Sequence, residues 1–466
     1  MSLIQKTAVE IVELLKKDQV TPLDLLEALE KRIDKIDKKI NALPIRCFDR
    51  ARTHAKKLME KPINKRGILA GLPVAIKDLT PVANVRFTSG SMLFENNIAQ
   101  ESDPLVEAIE EQGGIIYAKS NTPEFGAGGN TFNDVFGATL NPWDSKKSVA
   151  GSSGGAAAAL ASGTAWLAHG SDLGGSLRNP ASFCGIVGLR PSPGRIQAVN
   201  TLLPFQNLGV QGPMARNVAD ISLFLDTMTG QTPFSPLSTP SPKRNFFTAS
   251  QAREKPQKVA FSSNLGYMPV ETEVAEICKK AAIKLQDQGV VVEEIDPDVE
   301  NVLETFWTLR SNLFASLMGD LLEHDQTKLM PELVENIKEG LNMTSKKVRE
   351  GEIARGKIFN TMARFFEEYD LLLAPSTIVS PFPVENRYVE SCGGHKFTKY
   401  VDWLGIAFLA TLASCPSMSL PAGKNSEGLP IGLQIIGPNR GEETLLSAAQ
   451  YLEDLLGQSP VPIDPQ

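Results

Sequence analysis

The sequence predicts an α/β fold in which helices sandwich a parallel or mixed β-sheet. Short apolar runs bounded by glycine, proline or polar residues alternate with segments of helical periodicity along most of the chain. The chain has 466 residues, of which 42% are hydrophobic and 22% are charged, and this composition is ordinary for a globular protein. A chain of this length can bury a core without disulfides or metals.

Two helices are expected at the N-terminus. Apolar residues recur at helical spacing over residues 3–17. A second helix is predicted to begin at Thr21, because Thr21 can serve as its N-cap, Pro22 suits the first helical position and Asp24 completes a box-like cap. Packing on the protein's own core is favoured over a membrane-surface role for these helices.

Strands and two glycine-rich loops are predicted in the next part of the chain. Apolar runs at 72–76 and 115–118 indicate buried strands. Residues 150–163 are rich in glycine, serine and alanine, which predicts a loop that continues into a helix from about Ala156. The segment 171–180 is predicted to be a second glycine-rich loop.

A segment rich in proline and serine interrupts this pattern. Residues 230–256 show no periodicity, which predicts a linker loop. The α/β pattern resumes beyond it. The expected strands are 259–261, 290–292, 371–373, 417–421 and 431–436, and the expected helices are 272–287, most of 300–368, and 441–455.

Charge and cysteine content exclude several classes of protein. The net charge is −7 and basic residues occur only in short clusters, so no nucleic-acid-binding face is expected. The five cysteines lack the spacing of a metal or redox site, and we interpret them as reduced thiols. Glu10 and Glu13 interrupt the first apolar segment, which rules out a signal peptide, and no uncharged stretch is long enough for a membrane span. These features predict a cytoplasmic protein.

The first segment that suggests chemistry is Gly151-Ser152-Ser153-Gly154-Gly155, which four alanines follow. A glycine-rich loop that leads into a helix presents backbone N–H groups, so one interpretation is a phosphate-binding loop. However, the P-loop pattern requires lysine followed by serine or threonine after the glycines, and alanines stand there. A tight turn with close helix packing is the other interpretation, and the segment alone does not decide between them.

The second such segment contains Gly174-Gly175-Ser176. The two glycines allow a sharp turn, so that successive N–H groups can converge on one point, as an oxyanion hole requires. A serine directly after them would place its hydroxyl beside that hole. Ser176 is therefore a candidate nucleophile.

A serine nucleophile needs a base, and the chain offers two candidates. His169 lies near the second segment with Asp172 as an orienting carboxylate, but neighbours on a tight loop seldom face one another. Lys77 follows the apolar run 72–76, so its amine can be drawn into the interior. Burial can lower the pKa of a lysine from about 10.4 to about 5–6, which frees the amine as a base. On this segment alone, a surface lysine at a strand end remains the simpler interpretation.

Several segments together resemble the amidase signature family. The three main ones are residues 71–78, 151–155 with the alanine run, and 171–189; the others are 121–125, 141–144 and 429–434. One departure is Ala150, where a glycine is usual. The resemblance implies a central mixed β-sheet covered by helices on both faces. It also implies a single amidase domain over residues 1–466, with a signature core at 70–225 and residues 257–466 as the C-terminal part of the same domain.

The resemblance also implies roles for individual residues. Ser176 corresponds to the nucleophile, Ser152 to a bridging serine after a cis peptide bond at Gly151, and Lys77 to a general base that takes the nucleophile's proton through Ser152. The N–H groups that correspond to the oxyanion hole belong to Leu173, Gly174, Gly175 and Ser176. The residues expected to hold the loops in place are Ser153, Asp172 and Arg178.

We therefore expect a hydrolase that cleaves a carboxamide C–N bond through an acyl-serine intermediate, with no cofactor and no metal. Its partner would be a small-molecule amide, with no direct contact to nucleic acid or membrane, and a homodimer is left open. The alternatives are a glutamine-hydrolysing A subunit of a tRNA-dependent amidotransferase, a non-catalytic phosphate- or nucleotide-binding module, and a catalytically silent structural protein. The presence of all three triad residues argues against the binding module.

The sequence does not identify the amide. Residues near 124–130, 310–318 and Ser376 are candidates for the wall of the acyl pocket. Glutamine-handling subunits carry a tyrosine-rich helical segment in their second half, whereas residues 268–368 contain no tyrosine. This apolar region favours an enzyme that acts alone on a less polar acyl group, although Arg310 leaves recognition of a carboxylate open.

Overall fold

A mixed sheet of 11 strands, covered by helices on both faces, forms the centre of the protein in the computed structural model, which describes residues 2–197, 202–457 and 461–466. The described strands, of which β4-β5 and β12-β13 form two separate two-stranded sheets, are β1 (Ile45–Arg46), β2 (Pro73–Lys77), β3 (Ile115–Ser120), β4 (Leu140–Asn141), β5 (Asp144–Ser148), β6 (Leu167–Asp172), β7 (Val187–Arg190), β8 (Val210–Ala215), β9 (Lys258–Phe261), β10 (Val291–Glu294), β11 (Leu371–Pro375), β12 (Ser391–Cys392), β13 (His395–Lys396), β14 (Ser417–Lys424) and β15 (Pro430–Ile436).

Helices of very different length surround this sheet. They are α1 (Ala8–Lys16), α2 (Pro22–Ile40), α3 (Phe48–Met59), α4 (Pro104–Glu111), α5 (Gly154–Ala161), α6 (Arg178–Cys184), α7 (Val218–Met228), α8 (Phe246–Gln251), α9 (Thr272–Gln286), α10 (Val302–Met318), α11 (Pro331–Leu341), α12 (Ser345–Glu368), α13 (Phe408–Leu412) and α14 (Glu442–Leu456). Short 3-10 helices occur at Leu3–Gln5, Ile63–Lys65, Met92–Phe94, Glu124–Gly126, Gly319–Glu323, Gln326–Lys328 and Asp402–Ala407.

The order of the strands divides the sheet into two blocks. It runs β1-β3-β2-β6-β8-β7-β14-β15-β11-β9-β10, so the strands that precede residue 230 are contiguous and those that follow residue 256 are contiguous. The blocks meet where β7 and β14 pair antiparallel, with Arg190 opposite Ser417. Parallel pairing joins β2 to both β3 and β6, and joins β9 to both β10 and β11. The sheet therefore continues unbroken from one block to the other.

Most of the predicted elements are confirmed, and β2 shows why they were predictable. Its residues are all buried between two parallel neighbours, and such a strand appears in the sequence as a continuous apolar run. The start of α2 is also confirmed, because the Thr21 hydroxyl accepts the Asp24 N–H and the Asp24 carboxylate accepts the Thr21 N–H. The predicted first helix is shorter than 3–17, because Thr7 and Glu10 form a capping box that starts α1 after a separate 3-10 turn.

The prediction of a loop over 171–180 was wrong at both of its ends. Ser171 and Asp172 are the last residues of β6 and pair with Gln211 and Val210 of β8. Helix α6 already begins at Arg178. The strand β8 was not predicted, because its polar and proline residues hide any alternation of apolar side chains. Only residues 173–177 remain as the connection between β6 and α6.

The segment 230–256 is not irregular throughout. Helix α8 lies within it, and the Asp226 carboxylate accepts the N–H groups of Phe246 and Phe247 at its start. The part before α8 alternates between exposed and half-buried residues, and Phe234 is 71% exposed. Among the residues described, no helix combines the length and the apolar character that a bilayer crossing requires.

Candidate active site

The ends of two neighbouring parallel strands place a lysine among serines. Lys77 is the last residue of β2, and its side chain is completely buried. Its Nζ atom lies 2.7 Å from the Ser152 hydroxyl, 2.9 Å from that of Ser153 and 3.0 Å from that of Ser171. The structure therefore brings Lys77 and Ser152, predicted from separate segments of the sequence, into direct contact.

The surroundings of Lys77 favour the neutral amine. Burial lowers the pKa of Lys77 to about 7, although the charge of Asp172 opposes this shift. Among the described residues, no carboxylate forms an ion pair with its amine. A lysine in this environment can exchange a proton near neutral pH, which an exposed lysine cannot do.

The loop that carries Ser152 is fixed by buried hydrogen bonds. The peptide bond between Gly151 and Ser152 is cis, as the family resemblance implied. The Ser153 N–H donates to the carbonyl of Ser176 at 3.2 Å, so this loop directly contacts the turn of the second segment. Ser152 and Ser176 are both buried and line the same cavity, but among the described residues no hydrogen bond joins their hydroxyls.

The first two N–H groups of helix α5 are already bonded within the protein. The Gly154 N–H donates to the Thr131 hydroxyl at 3.2 Å, and the Gly155 N–H donates to the Asn121 carbonyl at 3.3 Å. Every residue of the helix is buried. A Cβ atom on Gly155 would lie 2.3 Å from the Asn121 nitrogen. The glycines therefore permit close packing at this helix start, which is the second of the two interpretations of this segment.

The turn that carries Ser176 is built around the Asp172 carboxylate. One carboxylate oxygen accepts the Gly175 N–H at 3.0 Å, and the other accepts the Leu177 N–H at 3.1 Å. Gly175 has a φ of +98°, and a Cβ atom there would lie 2.5 Å from the Asn179 side chain. Glycine is thus required both for the backbone angle and for the space.

In this arrangement, one of the four N–H groups predicted to form the oxyanion hole is already bonded within the protein. The N–H of Gly175 donates to the Asp172 carboxylate at 3.0 Å, so it is not available to a substrate oxygen. In contrast, the N–H groups of Leu173, Gly174 and Ser176 have no acceptor within the described part of the chain. Three of the four predicted donors are therefore free.

Arg178 connects the turn to the other block of the sheet. Its guanidinium donates to the two Asp172 oxygens at 3.0 and 2.9 Å, to the Ala407 carbonyl at 2.9 Å and to Gln434 Oε1 at 2.5 Å. Burial raises the pKa of Asp172, but the charges of Arg178 and Arg190 overcome this effect and hold the pKa well below its usual range. The carboxylate thus stays ionised beneath the turn.

His169 is held in a different environment from the one that a catalytic base needs. Its Nδ1 accepts the backbone N–H of Lys77 at 3.4 Å, and its Nε2 lies 2.7 Å from Gln211 Oε1. Burial lowers the pKa of His169 to about 3. His169 does not line the cavity that contains Ser176. One ring nitrogen of His169 therefore connects β6 to β2, and the other connects β6 to β8.

The cavity beside Ser176 has a volume of about 360 Å³ and mostly apolar walls. The predicted segments contribute to it through Phe125, Gly126, Ala127, Gly128, Arg310, Leu313, Phe314, Leu317 and Met318. Further wall residues, which the sequence analysis missed, are Leu79, Ser89, Gln206, Gly209, Phe306, Val401, Leu404 and Phe408. The prediction for Ser376 was wrong, because this residue lies outside the wall and its hydroxyl donates to Ser419 at 2.8 Å.

Ser171 contacts the proposed base Lys77. The sequence analysis did not single out this serine. It also belongs to the wall of the cavity. Its position at the end of β6 next to β2 could have been inferred only if β6 had been predicted. No group of histidine, cysteine, aspartate or glutamate side chains suited to a metal ion occurs among the described residues.

Comparisons with known proteins identify similar chains over the whole length. The family model described as Amidase matches residues 24–446. An acylamidase from Rhodococcus erythropolis is 34% identical over 457 residues, which cover 96% of this chain and 94% of that protein. The A subunit of a glutamyl-tRNA(Gln) amidotransferase, from Halothermothrix orenii, is 31% identical over 483 residues, which cover 98% of each chain.

Solved structures show the same fold. A bacterial aryl acylamidase of the amidase signature enzymes superposes with a TM-score of 0.91 and 26% identity, over 98% of this chain and 96% of that one. A 6-aminohexanoate cyclic dimer hydrolase in complex with its substrate superposes with a TM-score of 0.89 and 26% identity, over 100% of this chain and 99% of that one.

Proposed function

Because this chain belongs to the amidase family and is an amide hydrolase, we propose that it cleaves a carboxamide C–N bond through an acyl-serine intermediate on Ser176. Lys77 would be the general base, and Ser152 would relay the proton between them. The observation that carries this proposal is the 2.7 Å contact between the Lys77 amine and the Ser152 hydroxyl inside a buried site. A base that is recessed at the end of a strand needs such a relay to reach the nucleophile.

The hydrogen bonds around Lys77 support a defined direction of proton transfer. An ammonium group can donate to three acceptors, but a neutral amine has only two N–H groups and one lone pair. The Ser153 hydroxyl can donate to the Ser171 carbonyl at 3.3 Å, so its oxygen is free to accept from Lys77. If Ser171 accepts the second N–H, the lone pair faces the hydroxyl of Ser152, from which it can take a proton.

In the proposed reaction, Ser176 Oγ attacks the carbonyl carbon of the amide while its proton moves to Ser152, and the proton of Ser152 moves to Lys77. The negative charge that develops on the carbonyl oxygen would be stabilised by the N–H groups of Leu173, Gly174 and Ser176. Lys77 then returns a proton through Ser152 to the departing nitrogen, the C–N bond breaks, and an amine leaves. Water attacks the acyl-serine by the same proton path and releases the carboxylic acid.

The amidotransferase alternative is less well supported by the cavity. A site for glutamine must bind an α-ammonium group, and such a group usually requires a carboxylate partner. Neither aspartate nor glutamate is among the residues that line this cavity in the described part of the chain. We therefore favour an enzyme that acts without partner subunits, as the sequence analysis expected.

The test is to purify the chain alone and supply it with neutral p-nitroanilides and with glutamine. We expect release of p-nitroaniline and, in mass spectra of quenched samples, an added acyl group on the peptide that contains Ser176. Ser176→Ala protein should show neither. Turnover of glutamine only, and only with partner subunits and charged tRNA, would establish the amidotransferase alternative instead.

A further inference from the structure

Arg310 brings a positive charge without a counter-ion to the wall of the cavity. It lies in α10, lines the same cavity as Ser152 and Ser176, and is 3% exposed. Within the described part of the chain, no aspartate or glutamate forms an ion pair with its guanidinium. Acidic side chains are also absent from the described wall of the cavity.

The hydrogen bonds of Arg310 leave several of its donors unused. Its Nη2 donates to the Tyr400 hydroxyl at 2.7 Å and, more weakly, to the Ala127 carbonyl at 3.4 Å. Its Nη1 is buried and has no partner among the described residues. The guanidinium carbon lies 4.0 Å from the ring centroid of Phe314, so an aromatic face contacts the cation.

A buried cation with unused donors is costly for a protein unless a ligand pairs with it. The interior strongly disfavours an unpaired charge, and each unsatisfied buried donor adds to this cost. The contacts to Tyr400 and Phe314 position the guanidinium but neutralise none of its charge. The natural complement of a planar guanidinium is a carboxylate, which can accept two parallel hydrogen bonds.

We propose that Arg310 binds a carboxylate on the acyl chain of the substrate, so that the preferred substrates are monoamides of short dicarboxylic acids. This inference rests on the proposed function, because it assigns the chemistry of the same cavity. The carbon chain between the amide and the carboxylate would contact the apolar wall, which includes Phe306, Leu313 and Met318. The absence of acidic residues from the described wall argues against an additional ammonium group, and this feature separates such substrates from amino-acid amides.

The test uses matched pairs of p-nitroanilides, from succinyl to suberyl, each compared with the uncharged alkanoyl p-nitroanilide of the same carbon number. For each protein we take the ratio of kcat/KM for the anionic to that for the neutral substrate, because this ratio cancels differences in the amount of active enzyme. In the wild type, the ratio should exceed one for at least one chain length. In Arg310→Met it should fall by about 10- to 100-fold, as expected for the loss of a hydrogen-bonded charge.

Two further variants separate charge recognition from a structural role. Arg310→Lys keeps the charge but loses the bidentate fork, so the ratio should fall between those of the wild type and Arg310→Met. Arg387→Met removes a half-exposed arginine that lies outside this cavity, and the ratio should not change. A structural role for Arg310 would lower both rates together and leave the ratio unchanged.

Preference of the wild type for the neutral member of every pair, or an unchanged ratio in Arg310→Met, would overturn the proposal. Binding of free dicarboxylates to Ser176→Ala protein, measured by calorimetry, tests Arg310 without any turnover. Here Ser176→Ala/Arg310→Lys should bind them about 10-fold more weakly, and equal binding would overturn the proposal even if Arg310→Met does not fold. If dicarboxylates bind through Arg310 but no amide is hydrolysed, the proposed function fails while the role of Arg310 stands.

Discussion

The Asp172 carboxylate and the Arg178 guanidinium form a doubly hydrogen-bonded ion pair directly beneath the turn that carries Ser176, and both side chains are fully buried. The same carboxylate accepts two backbone N–H groups of that turn. The shape of the turn therefore depends on a charge that makes no contact with the Ser176 hydroxyl in the described hydrogen-bond network.

We expect Asp172→Asn to lower the free energy of unfolding by about 3–5 kcal/mol, because it leaves a buried arginine without its counter-ion. Denaturant titration measures this change. The matched control is Asp34→Asn, which breaks an ion pair with Arg46 in which the Asp34 side chain is 63% exposed, and there the loss should be at most about 1 kcal/mol. Equal losses in the two variants would show that the buried pair does not hold the turn.

Ser152 and Ser176 should behave as one functional unit. Ser176→Ala removes the proposed nucleophile and Ser152→Ala removes its proton path, so each should lower kcat by at least about 10³-fold. The double variant should be little worse than Ser176→Ala alone, because the relay has no role without the nucleophile. Steady-state rates on one neutral anilide measure all three variants. If the fold loss in kcat of the double variant equalled the product of the two single losses, the two serines would not share one proton path.

The activity should rise with pH as Lys77 loses its proton. Burial lowers the pKa of Lys77 to about 7, so kcat/KM should be small well below pH 7, reach half of its maximum near that value and level off above it. Lys77→Ala should lose about 10²- to 10⁴-fold in rate, and Lys77→Arg should be no better, because a guanidinium does not deprotonate.

The control for the base is His169→Asn, whose side-chain oxygen can take the place of Nδ1 as the acceptor for the Lys77 N–H. This variant should keep the rise in activity near pH 7. If the rise disappeared in His169→Asn and persisted in Lys77→Ala, the histidine would be the base.

Ser171 should tune the pKa of Lys77 as a positioning residue. Its hydroxyl lies 3.0 Å from the amine, and an acceptor stabilises the ammonium form more than the neutral form. Removal of this acceptor in Ser171→Ala should therefore shift the midpoint of the pH profile to lower pH, whereas Ser171→Thr keeps a hydroxyl and should restore it. A midpoint that stays fixed or moves upward in Ser171→Ala would contradict this role.

Much of the candidate site was predictable because its residues lie in segments with a strong local signal. Lys77 ends a continuous apolar run, and Gly174-Gly175 permits a sharp turn wherever it occurs. The contact of Ser171 with Lys77 depends instead on the pairing of β6 with β2, and that pairing joins residues far apart in the sequence. The bond from the Gly175 N–H to Asp172 depends on the orientation of one peptide group, which residue types do not determine.

The same distinction explains the rest of the fold. Strands with continuous apolar runs, such as β11 and β15, were predicted within one or two residues. The strand β8 was missed because Gln211, Gly212 and Pro213 interrupt its apolar residues. Its place in the sheet depends on pairing with β6 and β7, which lie on either side of it. Ser376 was misplaced because its position at a strand end gave no information about which cavity it faces.

The division of the sheet into two contiguous blocks has a consequence for how the chain can be cut. The partly exposed stretch before α8 is the connection between the blocks, while the pairing of β7 with β14 and the bonds from Arg178 to Ala407 and Gln434 hold them together across the interior. A protease that nicks this connection would produce two fragments that remain associated. Neither fragment alone would contain all the residues that hold the Ser176 turn, because Arg178 lies in one fragment and its partners Ala407 and Gln434 lie in the other. The activity would therefore require both fragments, although no peptide bond would join them.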